Sequence, residues 1–272
     1  MRLGYNTNGL QNHRLDDALR LLADQGFEAV AITPDICHLD PFHCTASEVE
    51  RIGALLDKLG LSCSIETGAR FLLDPAHKHE PTLMTADERG RQRRIEFLWR
   101  AANLGRDLGA RVVSFWTGID RANGPESRSR LLSSVRAACA AIRECGLVPS
   151  LEPEPGMAVA TVAGWESVRL ELGTEAPAMT LDVGHLYAEW EGDPVALCRA
   201  YAHEVAQVHL EDMRRGIHEH LLPGTGDVDF PAVLAALGEG GYAGPVCFEL
   251  SRHSHMAPQA LAACRQVWLD WR

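Results

Sequence analysis

Four successive apolar runs in the second half of the sequence each end on, or next to, a side chain that can bind a metal ion. These side chains are Glu152, Asp182, His209 and Glu249. A single acid at such a position is usually a loop anchor or a helix cap, and a single histidine is usually a core or surface residue. Four in succession favour one shared site, because carboxylate oxygens and imidazole nitrogens are the ligands that divalent ions take in proteins.

The composition of this set predicts both the ion and the chemistry. Oxygen-rich ligand sets favour Mg²⁺ and Mn²⁺, and imidazole also suits Zn²⁺ and Fe²⁺. We therefore expect one divalent metal, first of all Mn²⁺, with Mg²⁺, Co²⁺, Zn²⁺ or Fe²⁺ as substitutes. Glu152 and Glu249 on opposite sides of that ion predict proton abstraction beside a carbonyl, through a metal-stabilised enediolate. Return of the proton to the opposite face of the same carbon gives an epimer, and return to the neighbouring carbon gives an isomer.

Such a site needs a scaffold in which strand ends meet, and the sequence predicts one. Short β-type runs alternate with amphipathic helical runs along the whole chain. The predicted strands are Arg2–Asn6, Glu28–Ile32, Leu61–Glu66, Arg111–Trp116, Leu147–Glu152, Ala178–Leu181, Val205–Leu210 and Val246–Leu250. The helices predicted after them are Leu15–Gln25, Ala46–Leu59, Asp87–Leu108, Ser127–Cys145, Ala163–Leu172, Asp193–Ala202, Phe230–Leu237 and Pro258–Trp268. This alternation is typical of an α/β fold with parallel strands, and eight such units indicate a single (β/α)8 TIM barrel.

The turns between these elements agree with a barrel. Glycine precedes a predicted strand in DQGFE, KLGLS, DLGAR and ECGLV, where a left-handed residue can end a helix. Ser47 is predicted to cap the second helix. The competing doubly wound open sheet usually carries a Gly-x-Gly-x-x-Gly turn after its first strand, and GYNTNGL does not match it. No linker is evident, so we expect one domain over residues 1–272. Its C-terminal strand ends would surround one mouth.

Residues 68–86 interrupt the alternation with a long loop after the third predicted strand. Loops of this length are usually functional or disordered. In a barrel this loop would lie on the C-terminal face, where substrates bind. We therefore expect it to contribute to the site.

The segments SLEPEPG, LDVGH, VHLED and HLLPGTGDVDF resemble the xylose isomerase-like TIM barrel superfamily, of the sugar phosphate isomerase/epimerase type. That superfamily includes sugar epimerases and isomerases, inosose dehydratase and an apurinic endonuclease branch. The resemblance implies that Glu152, Asp182, His209 and Glu249 are the metal ligands. It further implies substrate contacts for three more residues, namely His185, His220 and Trp116. Glu154 could also orient a substrate hydroxyl. Core packing for Trp116 and an exposed loop position for Glu154 are equally open alternatives.

One departure from the epimerase pattern concerns His220, whose position often holds an arginine in epimerases. With His185 and His218 it could form a second metal site, which would suit hydrolytic chemistry as in the endonuclease branch. That branch also has histidines after the second or third strand and the fourth strand. Here the fourth predicted strand ends on Trp116 and the third on Glu66. These positions disfavour the endonuclease.

The amino-acid composition limits the classes of partner that we expect. A formal net charge of −11 disfavours nucleic acid as a partner, and the arginine cluster at 89–94 is typical of a solvated helix face. Eight cysteines without a Cys-x-x-Cys pair indicate reduced thiols. There is no apolar run that would span a membrane, and MRLGYNTNGL lacks the apolar core of a signal peptide, so we expect a cytoplasmic protein. A small-molecule sugar is the expected partner, and the resemblance implies self-association into a homo-oligomer.

The function that combines these observations is a divalent-metal-dependent isomerase or epimerase of a small sugar or polyol-ketone. A metal-dependent lyase or dehydratase of the same superfamily is the first alternative, since β-elimination could use the same mouth. An apurinic-endonuclease-like metallohydrolase and a non-catalytic binding barrel are the less favoured ones.

Overall fold

A computed structural model describes residues 1–272 and contains a closed barrel of eight parallel strands. The chain has ten strands, eight of which form the barrel: β1 (Arg2–Asn6), β2 (Ala29–Ile32), β3 (Ser62–Glu66), β4 (Val112–Phe115), β5 (Val148–Leu151), β6 (Ala178–Asp182), β7 (Val205–Leu210), β8 (Asp212–Arg214), β9 (Ile217–Leu221) and β10 (Pro245–Phe248). Their order around the barrel is β1-β10-β7-β6-β5-β4-β3-β2, while β8 and β9 form a separate antiparallel hairpin. The predicted (β/α)8 barrel is confirmed.

Helices follow the barrel strands. They are α1 (Leu15–Asp24), α2 (Ala46–Leu59), α3 (Glu88–Asp107), α4 (Ser127–Glu144), α5 (Val162–Leu172), α6 (Val183–Glu189), α7 (Pro194–Tyr201), α8 (Phe230–Glu239) and α9 (Ala257–Trp271). All except α6, which lies at the C-terminal mouth, cover the barrel strands on the outside. Their buried apolar faces join the strands in one continuous hydrophobic core. No helix combines the length and the apolar composition needed to cross a membrane.

The predicted cap of α2 was wrong. Thr45, not Ser47, precedes the helix, and its side chain accepts the Glu48 backbone N–H at 3.3 Å. The Glu48 carboxylate in turn accepts the Thr45 backbone N–H at 2.8 Å, which completes a capping box. Because the backbone is helical from Ala46, Ser47 already lies inside the first turn and cannot cap it.

Two short elements were not predicted, and both lie at the C-terminal mouth. Helix α6 begins directly after β6, without an intervening loop. The β8–β9 hairpin turns at Arg215-Gly216, where Gly216 has a φ of 71°. The long loop was predicted correctly, because residues 67–87 connect β3 to α3 without a regular helix or strand.

Candidate metal and substrate site

Hydrogen bonds that continue the barrel ladder position the two candidate catalytic glutamates. The backbone N–H of Glu152 donates to the carbonyl of Phe115 at 2.8 Å, and that of Glu249 donates to the carbonyl of Leu210 at 3.0 Å. Asp182 ends β6 and is paired in register with His209 of β7. The barrel therefore directs all four side chains towards one point.

These four side chains form a compact cluster. Nδ1 of His209 lies 2.9 Å from Oε1 of Glu152 and 3.0 Å from Oε2 of Glu249. One ligand atom from each of the four residues lies within 4.8 Å of the others. Glu152, Asp182 and His209 are buried and Glu249 is partly buried. The structure thus brings together the predicted ligand set as a candidate metal-binding cluster.

Two asparagines from the first strand region orient Glu249. Nδ2 of Asn6 donates to Oε2 and Nδ2 of Asn8 donates to Oε1, both at 2.8 Å. Both asparagines are buried. They fix the plane of the carboxylate and satisfy one lone pair on each oxygen. Neither asparagine was predicted as a site residue.

Burial and close packing shift the pKa values within the cluster in opposite directions. Burial raises the pKa of Glu152 to about 8, against the opposing effect of His209. Burial also acts to raise the pKa of Glu249, but His209, His220 and the Asn8 hydrogen bond hold it well below its usual value. The pKa of His209 is well above normal, because the two glutamates outweigh its burial. The cluster holds more carboxylates than cations.

Two further observations indicate that this set of donor atoms fits a divalent cation. Oδ2 of Asp182 is buried and has no hydrogen-bond partner. Nε2 of Gln207 lies 2.6 Å from Nε2 of His209, and Oε1 of Gln207 is also buried without a partner. A 180° rotation of this amide would let Oε1 accept Nε2–H of His209, which leaves the Nδ1 lone pair free to bind a metal.

His185, His218 and His220 form a second cluster beside the first. Their ligand nitrogens lie within 4.8 Å of one another, and the ring centroids of His185 and His218 are 4.8 Å apart. His185 is buried in α6, and its Nδ1 lies 3.0 Å from the carbonyl of Pro153. The other two come from β9, where Nδ1 of His220 lies 3.0 Å from the carbonyl of Glu249. Burial lowers the pKa of His218 to about 4.

The hairpin that carries His218 and His220 is held by Asp212. Its Oδ2 accepts the backbone N–H groups of Gly224 at 2.8 Å, Thr225 at 2.9 Å and Gly226 at 2.8 Å. A Cβ atom at Gly226 would lie 2.3 Å from Oδ1 of Asp212, so this turn requires glycine. The PGTGDVDF segment thus wraps around one buried carboxylate.

A cavity of about 390 Å³ opens above the clusters. Only two of its 17 lining residues, Trp116 and Met157, are hydrophobic. Glu154 lines it as well, half-buried, with its carboxylate 3.7 Å from Nε2 of His185. Burial and the nearby Glu152 raise the pKa of Glu154 well above its usual value. The volume and polarity suit a small hydroxylated molecule.

Comparison with known proteins adds the family. A family model described as a xylose isomerase-like TIM barrel matches residues 19–270. The chain belongs to this family. A ketose 3-epimerase from Arthrobacter globiformis is 27% identical over 250 residues, which cover 85% of this chain and 78% of that protein. An L-ribulose 3-epimerase from Mesorhizobium japonicum is 25% identical over 266 residues, which cover 93% and 81%.

Among solved structures, this chain is similar in fold to the IOLI protein with a binding zinc atom. The TM-score against the IOLI protein is 0.80, at 17% identity, and several other solved structures give TM-scores of 0.76 or higher. The match covers 100% of this chain and 98% of that chain. The family expected from the LDVGH and VHLED segments is confirmed.

At the end of the fourth strand of this xylose isomerase-like barrel, a side chain of the cavity wall stands in place of a metal ligand. Trp116 follows β4, is 5% exposed and lines the cavity. The guanidinium of Arg94 lies 4.3 Å from the centre of its ring, and His79 packs edge-on at 5.2 Å. Trp116 therefore packs in the core and at the same time forms part of the cavity wall.

Two acidic residues of the mouth were not predicted from the sequence to be site residues. Glu66 ends β3 and lines the cavity, and its Oε2 accepts the hydroxyl of Thr33 at 2.6 Å. Glu211 follows β7, and both of its oxygens are buried without partners. The signal for Glu66 was the strand-end position that identified Asp182. Glu211 directly follows the His209-Leu210 pair in VHLED and was read only as part of that segment.

Proposed function

We propose that this chain is a divalent-metal-dependent sugar epimerase that acts on a ketose at the carbon next to the carbonyl. The observation that carries the proposal is the pair Glu152 and Glu249, which approach Nδ1 of His209 to 2.9 and 3.0 Å at the floor of a polar cavity. The ketose 3-epimerase and L-ribulose 3-epimerase relatives support the reaction class.

Glu152, Asp182, His209 and Glu249 would hold the metal. Their mixed carboxylate and imidazole donors favour Mn²⁺, with Mg²⁺, Co²⁺, Zn²⁺ or Fe²⁺ as substitutes. When bound, the metal supplies Lewis acidity to the substrate carbonyl and the adjacent hydroxyl oxygen. The unpartnered Oδ2 of Asp182 and the buried excess of carboxylates support this assignment.

The two glutamates move the proton. One carboxylate accepts the proton from the carbon beside the carbonyl, and the electrons of the broken C–H bond form the C=C bond of an enediolate. The other glutamate donates a proton to the opposite face of that carbon, which inverts it. Asn6 and Asn8 hold the Glu249 carboxylate in one plane for this transfer. Return of the proton to the neighbouring carbon would give aldose–ketose isomerisation instead.

Other lining residues orient the substrate. Glu154 and His220 reach the cavity with groups that hydrogen-bond sugar hydroxyls, and Trp116 offers an apolar wall. His185 lies beside them, with its Nε2 3.6 Å from Oδ2 of Asp182. Nε2 of His185 has no hydrogen-bond partner in the protein, so it is free to bind a substrate oxygen.

A metallohydrolase is the second candidate, supported by the cluster of His185, His218 and His220. Three imidazoles within 4.8 Å could hold a second ion. The ends of β3 and β4 argue against it, because Glu66 and Trp116 stand where the hydrolytic branch would need histidines. Metal analysis of the purified protein separates the two: a second equivalent that His218→Ala/His220→Ala removes would support the hydrolase.

The test of the epimerase uses a panel of ketoses in D₂O. We expect deuterium at the carbon beside the carbonyl together with the epimeric product. Glu152→Gln and Glu249→Gln should each abolish the exchange while the protein remains folded. If either variant exchanged as fast as wild type, the two-glutamate proposal would be wrong. Inososes and an abasic duplex in the same panel test dehydration and hydrolysis.

A further inference from the structure

The rim of the cavity is cationic although its floor is acidic. Arg70, Lys78 and Arg252 line it together with the glutamates. The side chain of Arg70 is 31% exposed and that of Arg252 is 65% exposed, against 4% for Glu152, so the cations lie outermost. The whole chain has a net charge of −11 and only two lysines, Lys58 and Lys78. These three cations thus lie together in a chain that is acidic as a whole.

Internal contacts hold the loop that carries Arg70 and Lys78 in place. Nδ1 of His79 contacts the carbonyl of Gly68, and its backbone N–H donates to the carbonyl of Arg70. The His79 ring packs edge-on against Trp116 with centroids 5.2 Å apart. These contacts join residues 68–70 to His79 and attach this part of the loop to the cavity wall.

The three cations differ in their partners. Arg70 lies 4.0 Å from a carboxylate oxygen of Asp35, and Arg252 lies 3.4 Å from one of Glu219. Lys78 has no carboxylate within 4.0 Å and no hydrogen bond from its ammonium group. Burial, and then the positive charges of Arg70 and Arg252, lower the pKa of Lys78, while Glu154 acts weakly in the opposite direction. Arg70 and Arg252 therefore both repel the ammonium group of Lys78.

We propose that this rim binds a terminal oxyanion of the substrate, so that the physiological ketose carries a phosphate or a carboxylate at the end remote from its carbonyl. The inference rests on the proposed function for the reacting end of the molecule. Lys78 supplies an unpaired point charge, and the two arginines supply planar donors that match an oxyanion. An anion would offset the repulsion of Lys78 by the two arginines, which a neutral hydroxymethyl group would not.

The kinetic test compares three ketoses of matched carbon skeleton, one neutral, one phosphorylated and one with a terminal carboxylate. We expect the wild type to have the highest kcat/KM for one of the two anionic substrates. Lys78→Met should lower that kcat/KM by about tenfold, the size expected for one lost charge-assisted contact. It should change the value for the neutral ketose less than twofold. Lys58→Met, at the last turn of α2, is the matched control and should change neither value.

The anionic substrate with the higher kcat/KM shows whether the terminal group is a phosphate or a carboxylate. A wild type that prefers the neutral ketose, or a Lys78→Met variant that loses the same factor on all three, would overturn the proposal. Equal melting temperatures of the two lysine variants would show that folding is not the cause. Arg252→Gln provides a second variant and should act in the same direction as Lys78→Met.

Amine labelling tests the rim without turnover. With two lysines, mass spectrometry after brief reductive methylation reports Lys78 with Lys58 as an internal reference. Inorganic phosphate or acetate, against chloride at equal ionic strength, should slow labelling of Lys78 at least threefold and leave Lys58 unchanged. Absence of protection by either anion would contradict the proposal even if ketoses are epimerised. Protection without turnover of any ketose would contradict the proposed function and leave the anion site standing.

Discussion

Gly184 and Glu211 pack so closely that no side chain fits between them. A Cβ atom at Gly184 would lie 1.8 Å from Oε1 of Glu211 and 2.8 Å from the methyl carbon of Met213. Gly184 is the second residue of α6, between Asp182 and His185. Any Cβ atom at this position must therefore displace the side chains of Glu211 and Met213 or shift the start of α6.

Replacement of Gly184 by alanine is predicted to damage both stability and the site. The added methyl group must displace Glu211 or the start of α6, at a cost of about 1–3 kcal/mol in the free energy of unfolding. Because Asp182 moves with α6, metal content after purification should also fall. Urea denaturation and elemental analysis measure the two effects. Gly192→Ala is the control, since its Cβ would meet nothing closer than 3.7 Å. Equal behaviour of the two variants would contradict this account.

Asp212→Asn is predicted to loosen the hairpin that carries His218 and His220. Asparagine offers one side-chain oxygen in place of two, and its amide nitrogen cannot accept the N–H groups of Gly224 and Thr225 that now bond to Oδ2. Hydrogen bonds to a charged group contribute about 1.5–3 kcal/mol each. We expect faster proteolysis within residues 215–229 and a lower kcat/KM. Asp270→Asn, on the exposed face of α9, should match wild type in both measurements.

Short apolar runs and the residue types at their ends were enough to predict the barrel and the four-residue cluster. β1, β7 and α2 have the bounds predicted from the sequence, and the other barrel strands differ by one or two residues at one or both ends. The reason is physical: strands buried on both faces read as continuous apolar runs. A polar residue where such a run stops lies at the mouth, as Glu152 and Glu249 do.

The parts that escaped prediction depend on tertiary contacts. Helix α6 has seven residues and begins on the Asp182 cap, which leaves too short a segment for helical periodicity. The IHEHL strand of the hairpin is mostly polar and pairs only with three residues of β8. Asn6 contacts Glu249 across 243 positions of sequence, so no local pattern predicts that hydrogen bond.

Gln207→Leu is predicted to weaken metal binding without touching a ligand. Gln207 is the only side chain bonded to Nε2 of His209, and it fixes which ring nitrogen carries the proton. Loss of such a partner typically lowers metal affinity by about 10–100-fold. Competition with a fluorescent chelator measures the affinity. Gln266→Leu on α9 is the control. An unchanged affinity would show that the imidazole is oriented by its glutamate contacts alone.

Glu66→Gln is predicted to change how stability depends on pH. Burial, together with the nearby Glu249, raises the pKa of Glu66 to about 7 from 4.5. The folded state therefore keeps a proton that the unfolded state releases between these values. The stability that neutral Glu66 contributes is complete below about pH 4.5 and is lost as pH rises through about 7. At about 1.4 kcal/mol per pKa unit, the loss amounts to about 3 kcal/mol.

Glutamine keeps an acceptor for the hydroxyl of Thr33 and does not ionise, so this loss should disappear from the variant. Urea denaturation of chelator-treated protein at pH 5 and pH 8.5 measures it. Relative to wild type, Glu66→Gln should gain stability at the higher pH, whereas exposed Glu144→Gln should run parallel to wild type. A Glu66→Gln curve that also ran parallel to wild type would contradict this account, because it would mean that Glu66 has the same pKa in the folded and unfolded states.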